Sequence, residues 1–333
     1  MKLMINKMKK NYLIYFVLSV IFFIILYSIF WQILADRIRK NINISNNTYS
    51  LKETNIQNPI TVKGYPFRFI IKIPKYNINL KQKIKISITD MYISSNIFNY
   101  KKMKAKSNDI AITSTMKNQS VLINSKNYNS RILIDKKKEL YIINHYIDNA
   151  KLLIKLNQKK INLNIKKLKL ATITNNKNIN LKIFSNHISV SNYNYYDIDS
   201  IFIDISINDF NSTIESQGDL KVWRRNGIIN LNNFELENRI LKLKSSGNLN
   251  IDKDLYLNGK FNFISDDPSI LIKYLFDNNH INIFQYNAIK LILNFSTYKD
   301  KSNINIPIYL KSKKIFIGPV PIYEMQPINE FLF

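Results

Sequence analysis

The stretch 12–34, YLIYFVLSVIFFIILYSIFWQIL, constrains this chain more than any other. It contains no Asp, Glu, Lys, Arg, Gly or Pro. At about 1.5 Å of rise per residue, a helix over it crosses the roughly 30 Å hydrocarbon core of a bilayer. A lone segment in lipid must satisfy its own backbone hydrogen bonds, and only a helix does so. Everything after Asp36 then reads as one large polar-surfaced body tied to a membrane.

Orientation follows from the flanks. Lys2, Lys7, Lys9 and Lys10 precede the stretch; Asp36, Arg37, Arg39 and Lys40 follow it. The bias in positive charge puts the N-terminus in the cytoplasm. A cleaved signal peptide needs a shorter apolar core and small residues at its cleavage site. Here the run ends in Trp31, Gln32, Ile33 and Leu34, so the reading is an uncleaved signal anchor whose helix continues to about Lys40. The expected organisation is a basic N-terminus over 1–11, a transmembrane signal anchor over 12–34, a helix extension and linker over 35–59, and a β-rich envelope-facing domain over 60–333.

The net charge is +26 in 333 residues, with 6 Gly and no Cys. Such a charge fits a polyanionic partner, or it reflects a composition rich in Lys, Asn and Ile, as A/T-rich codons produce. The lysines are dispersed along strand-like segments, as in Lys83-Ile84-Lys85-Ile86, which favours composition. A positive field still suits anionic lipid surfaces. The lack of cysteine excludes disulfides, thiolate metal sites and a cysteine nucleophile.

From Ile60 onward, alternation of apolar and polar residues dominates. Ile110-Ala111-Ile112-Thr113, Val121-Leu122-Ile123, Arg131-Ile132-Leu133-Ile134, Ile161-Asn162-Leu163-Asn164 and Ile201-Phe202-Ile203-Asp204 are examples, separated by Asn, Ser and Lys turns. The fold class is therefore mainly β: a large curved antiparallel sheet, open as a groove or barrel-like, with a few short helices. Asp267, Pro268 and the apolar face Ile270, Leu271, Tyr274, Leu275 predict one helix that covers an edge of the sheet.

Motifs that carry chemistry are scarce. His145, His187 and His280 stand alone, without metal-ligand spacing. Asp197 and Asp199 share a strand face with no Gly-centred loop, and Asp204 follows as a solvated acid; a cation site needs more. Glu324 and Glu330 have no evident partner. P-loop, Gly-x-Ser-x-Gly and Gly-x-Gly-x-x-Gly patterns are absent. No catalytic residue, cofactor or metal is expected, and an envelope-side body has no normal access to nucleic acid.

Three segments stand out. The first is the corner Gly64-Tyr65-Pro66-Phe67-Arg68, where Gly64 permits positive φ and Pro66 fixes the turn. The second is a meander over 218–263, with Gly218, Gly247 and Gly259 opening strands and Trp223 to Gly227 making the turn after the first. The third is Ile315-Phe316-Ile317-Gly318-Pro319-Val320-Pro321-Ile322. Trp223 beside Arg224 and Arg225 fits either a turn aromatic packed on the sheet or a lipid-headgroup contact. Together with the N-terminal span, these segments resemble the DUF2125 family of alphaproteobacterial membrane-anchored proteins, and the meander is similar to the broader AsmA-like group. The resemblance implies a single-pass protein of the bacterial inner membrane with its bulk in the periplasm. It implies an apolar β groove that binds or carries lipid, or else a scaffold for envelope protein partners. It brings no catalytic residues.

Overall fold

The computed structural model describes residues 19–40, 52–57, 60–80, 84–116, 119–135, 139–156, 159–175, 178–190, 197–209, 223, 226–297 and 304–328. The chain begins there with α1 (Ser19–Lys40), a helix long and apolar enough to cross a membrane. Residues 12–18 of the expected span lie outside the described set.

Among the described residues, seventeen strands form one antiparallel sheet. They are β1 (Lys52–Gln57), β2 (Thr61–Lys63), β3 (Arg68–Leu80), β4 (Ile84–Asn96), β5 (Asn99–Met116), β6 (Gln119–Asp135), β7 (Leu140–Leu156), β8 (Lys159–Thr174), β9 (Ile179–Ser185), β10 (His187–Val190), β11 (Ser200–Ile207), β12 (Ile229–Glu237), β13 (Lys242–Ile251), β14 (Leu257–Ser265), β15 (Ile304–Lys311), β16 (Lys314–Ile317) and β17 (Val320–Glu324). The connectivity is a plain meander. β1 and β2 lie end to end along one edge of β3. β9 and β10 lie end to end along β8. β11 continues the sheet by pairing with β9, and from β3 to β9 and from β11 to β17 each strand pairs with the next. Among the described residues the two outer edges do not pair with each other, so the sheet is open. β1 falls inside the stretch expected as linker; its polar, Asn-containing sequence does not advertise a strand.

Strands β5 to β8 are 16 to 18 residues long, about 55–60 Å each. Segments that read as separate short strands are parts of one: 121–123 and 131–134 both lie on β6. The reason is a crease. On β5 the apolar-face residues are Met103, Ala105 and Ser107, and then, one residue out of phase, Ile110 and Ile112. β6 slips in the same way between Ser125 and Tyr128, β7 between Ile147 and Ala150, and β8 between Ile165 and Leu168. The slips lie opposite one another, so the pairing register continues unchanged across them. At each slip two consecutive residues point outward and are exposed: Asn108-Asp109, Lys126-Asn127, Asp148-Asn149 and Lys166-Lys167. On alternate strands one crease residue has positive φ, namely Asp90, Asn127 and Lys167.

The inner side of the crease is lined by small buried residues: Ala105, Ser107, Ser125, Ser130, Ala150 and Ser185. The buried positions on this side of the crease hold only small side chains, as a sheet that folds toward that face requires. Serine has a second use, because the crease frees carbonyls from the ladder. Ser107 Oγ donates to Thr89 O at 2.7 Å, and Ser185 Oγ donates to Lys166 O at 3.0 Å. Buried backbone acceptors without a partner are costly, so these hydroxyls stabilise the bend.

The helical segment forms as expected. Asp267 caps α2 (Pro268–Asp277) by accepting from Ser269 N at 3.0 Å, with Pro268 in the first turn. A second helix, α3 (Ile283–Thr297), follows at once. Its start is a reciprocal capping box: Gln285 N donates to Asn282 Oδ1 at 2.9 Å, and Asn282 N donates to Gln285 Oε1 at 2.8 Å. Ile272, Ile281, Ile289 and Leu293 of this helical pair pack on Ile304, Ile306 and Ile317 of the sheet. This is the main dry core of the molecule.

Candidate functional site

The phase slip keeps one face of the sheet apolar on both sides of the crease. One row runs Val62, Ile71, Ile93, Ala105, Ser130, His145, Leu170, Ile183, Ile203, Phe234, Ser245, Phe263, Ile306, each opposite the next. Beyond the crease a second row runs Ile78, Ile86, Ile112, Ile123, Leu152, Leu163, Val190. These positions are consecutive neighbours on the face that carries the small buried crease residues, so they make a continuous apolar strip, the trough. Most of its large side chains are half-buried. They pack against their cross-strand neighbours, with no second layer over the middle strands among the described residues.

The trough is covered at its two ends. At β14 to β17 the pair α2 and α3 lies on the inner face, through Phe263, Ile304, Ile306 and Ile308. At β2 and β3 the cover is α1: Trp31 and Ala35 are buried against Val62, with Ile38, Phe69 and Ile71 around them. Trp31 stacks on Phe69, ring centroids 5.6 Å apart. Its indole N–H is buried without a partner among the described residues. The first rows of the trough thus begin on the apolar helix itself.

The 64–68 corner makes this junction. Gly64 has φ +106°, and a Cβ there would lie 2.7 Å from Arg68 O. The turn closes with Arg68 N donating to Gly64 O at 2.9 Å. The hydroxyl of Tyr27 donates to Pro66 O. Ser28 Oγ and Tyr65 Oη lie 2.7 Å apart, and Trp31 meets Tyr65 edge-on at 5.8 Å. The corner, read from sequence as a turn between strands, is therefore also the seat of the helix.

The other singled-out residues have structural surroundings. Trp223 is buried, and its Nε1 donates to Asn208 O at 2.9 Å. A Cβ on Gly227 would come within 2.1 Å of that indole, so Gly227 makes room for it. This burial matches the packed-aromatic alternative; Gly218, Arg224 and Arg225 lie outside the described residues. Gly247 and Gly259 sit inside β13 and β14, not at their starts. A Cβ at either would stand 2.3 Å from a neighbouring-strand carbonyl, so close backbone approach is what excludes a side chain. Gly318, at φ +56°, turns β16 into β17 beside Pro319, and its N–H donates to Pro307 O at 2.8 Å.

Polar chemistry inside the trough is limited. Tyr128 Oη and His145 Nδ1 lie 2.6 Å apart near the crease. Burial pushes the Tyr128 phenol up, partly opposed by Ser130, and pushes the His145 imidazole down. Asp204 points to the outer face, 3.0 Å from Lys182 Nζ. The outer face carries the basic load: Lys102, Lys104 and Lys106 are exposed on β5, and Lys72 and Lys169 lie over the rings of Tyr92 and Phe184. Among the described residues no group of three or more His, Asp or Glu could hold a metal ion.

Sequence reasoning found the corner and the alternation but missed the crease. The signal was present: Ile143, His145, Ile147 is followed by Ala150, Leu152, Ile154, a jump of three inside an alternating run. No family model, no curated protein and no solved structure matches this chain.

Proposed function

We propose that this is a non-catalytic, membrane-anchored protein that binds lipid acyl chains in the creased trough, as the resemblance to DUF2125 and AsmA-like proteins implies. In this reading α1 anchors the chain in a bacterial inner membrane, with the N-terminus cytoplasmic and the sheet in the periplasm. The observation that carries it is the continuity of the trough with α1, through Trp31, Val62, Phe69 and Ile71. An acyl chain leaving the bilayer along the helix meets apolar side chains without crossing water. Concave apolar surfaces with few polar groups are the usual form of sites for apolar ligands.

The test is lipid analysis by mass spectrometry after gentle detergent extraction. Wild type is expected to retain lipid, and the double variant I112K/L152K, with two charges on the trough floor, is expected to retain at least fivefold less. Lipid-free, well-folded wild type would overturn the reading. A scaffold for envelope proteins is the second reading, since an open sheet offers two edges. Edge strand β17 carries Pro321 and Glu324, which blunt strand addition, and this places the scaffold second.

A further inference from the structure

The junction carries more than a seat for the helix. Tyr65, Phe67 and Phe98 are exposed by 46, 59 and 75%. Phe67 and Phe98 come from different loops, the 64–68 corner and the β4–β5 turn, yet their rings lie 6.5 Å apart. Two loops therefore present one aromatic tip to the outside. Its level along α1 is fixed by the contacts of Tyr27 and Ser28 with Pro66 and Tyr65. Tyr27 stands on the order of 10 Å inside the end of the apolar run at Leu34, by the rise of an α-helix. On the helix, Phe22 and Phe23 are exposed at 59 and 66% just beyond that level. A body docked at Tyr27 cannot stand clear of a bilayer that α1 spans. The residues around the tip suit that position: Lys63, Arg68, Lys101 and Lys102 are exposed beside it, and such cations pair with anionic headgroups while aromatic rings take the interface.

We propose that Tyr65, Phe67 and Phe98 form a wedge that enters the outer leaflet beside α1, sinking the adjoining end of the trough to acyl-chain level. The wedge rests on the anchor reading and is separable from it. It removes the headgroup layer as a barrier between bilayer and trough, because Phe69 and Ile71, the first trough residues, follow the wedge directly in sequence.

The chain has no cysteine, so single cysteines report single sites. The full chain is reconstituted in vesicles of phosphatidylcholine and phosphatidylglycerol, with a polarity-sensitive fluorophore at F23C, F67C, F98C or N108C. Lipids carry a quencher either near the headgroup or near the acyl-chain end. We expect F23C to be quenched from the chain end, F67C and F98C to be blue-shifted and quenched more from the acyl-chain position than from the headgroup position, and N108C, exposed at the crease, to stay water-like. A label at N99C is quenched in the same way, and F67S/F98S cuts that quenching by half or more. Quenching at F23C with water-like signals at F67C and F98C overturns the wedge and leaves the anchor standing. A water-like F23C overturns both.

Discussion

The two halves of the sheet solve the same problem differently. In the half that carries the helical pair, large side chains are fully dry: Ile272 and Ile289 are 2 and 0% exposed, and helices form the second layer. In the long-strand half, the fully buried positions described on β5 to β7 are only Ala and Ser, and the large Ile and Leu side chains stay half-buried along an open trough. Both halves present one apolar face of equal regularity. One face is covered by its own helices, and over the other the described residues place no second layer. Burial of large side chains is what stabilises a domain, at roughly 25 cal/mol per Å² of apolar surface. The contrast assigns stability to the covered half, and the proposed lipid contact belongs to the open one.

The sharpest way to break that contrast is to truncate one isoleucine in each half. Ile289→Ala is expected to cost about 2–5 kcal/mol, as for a fully buried side chain, read by denaturant or thermal melting. Ile112→Ala, on the open floor, is expected to cost about 1 kcal/mol or less; equal losses would mean that the trough is a filled core. Next in size is the crease. Ala150→Phe adds bulk where the wings converge and is expected to cost about 1–3 kcal/mol, while increasing the distance between spin labels placed on the two wings. An unchanged distance would show that the small residues do not set the bend. The pH dependence is smaller. Burial lowers the His145 pKa from 6.5, so as the pH falls below that value the unfolded chain takes up a proton that the folded chain resists. Stability should therefore decline between pH 7 and 5, and His145→Asn should flatten that decline in melting curves. The smallest effect belongs to the outer face: Lys104→Ala and Lys169→Ala should each stay within about 0.5 kcal/mol.

Much of the covered half was legible in the sequence, because its rules are local. Asp267 and Pro268 announce a helix start, and α2 forms there. α3 is announced as clearly by Asn282 and Gln285, but the expected helix stopped at Phe276 and α3 was missed. The sheet class was legible from alternation, and its openness was one of the two expected forms. The crease was not read, because the doublets Lys126-Asn127 and Asp148-Asn149 look like turns when each strand is taken alone. Only their alignment across neighbouring strands turns a series of turns into a fold line. The helix seat was hidden for a related reason: nothing in Tyr65 or Phe67 states that Tyr27 and Trp31 will be their partners, since that depends on tertiary placement.

The central claim is that the two faces of one strand have different partners. Ile123 points into the trough, and Asn124, the next residue on β6, is exposed on the outer face. A photoreactive amino acid placed at each position, activated in intact cells and followed by mass spectrometry, compares them directly. The account predicts lipid adducts at position 123 and none above background at 124. Protein adducts at 123, or equal lipid labelling at both positions, would contradict it.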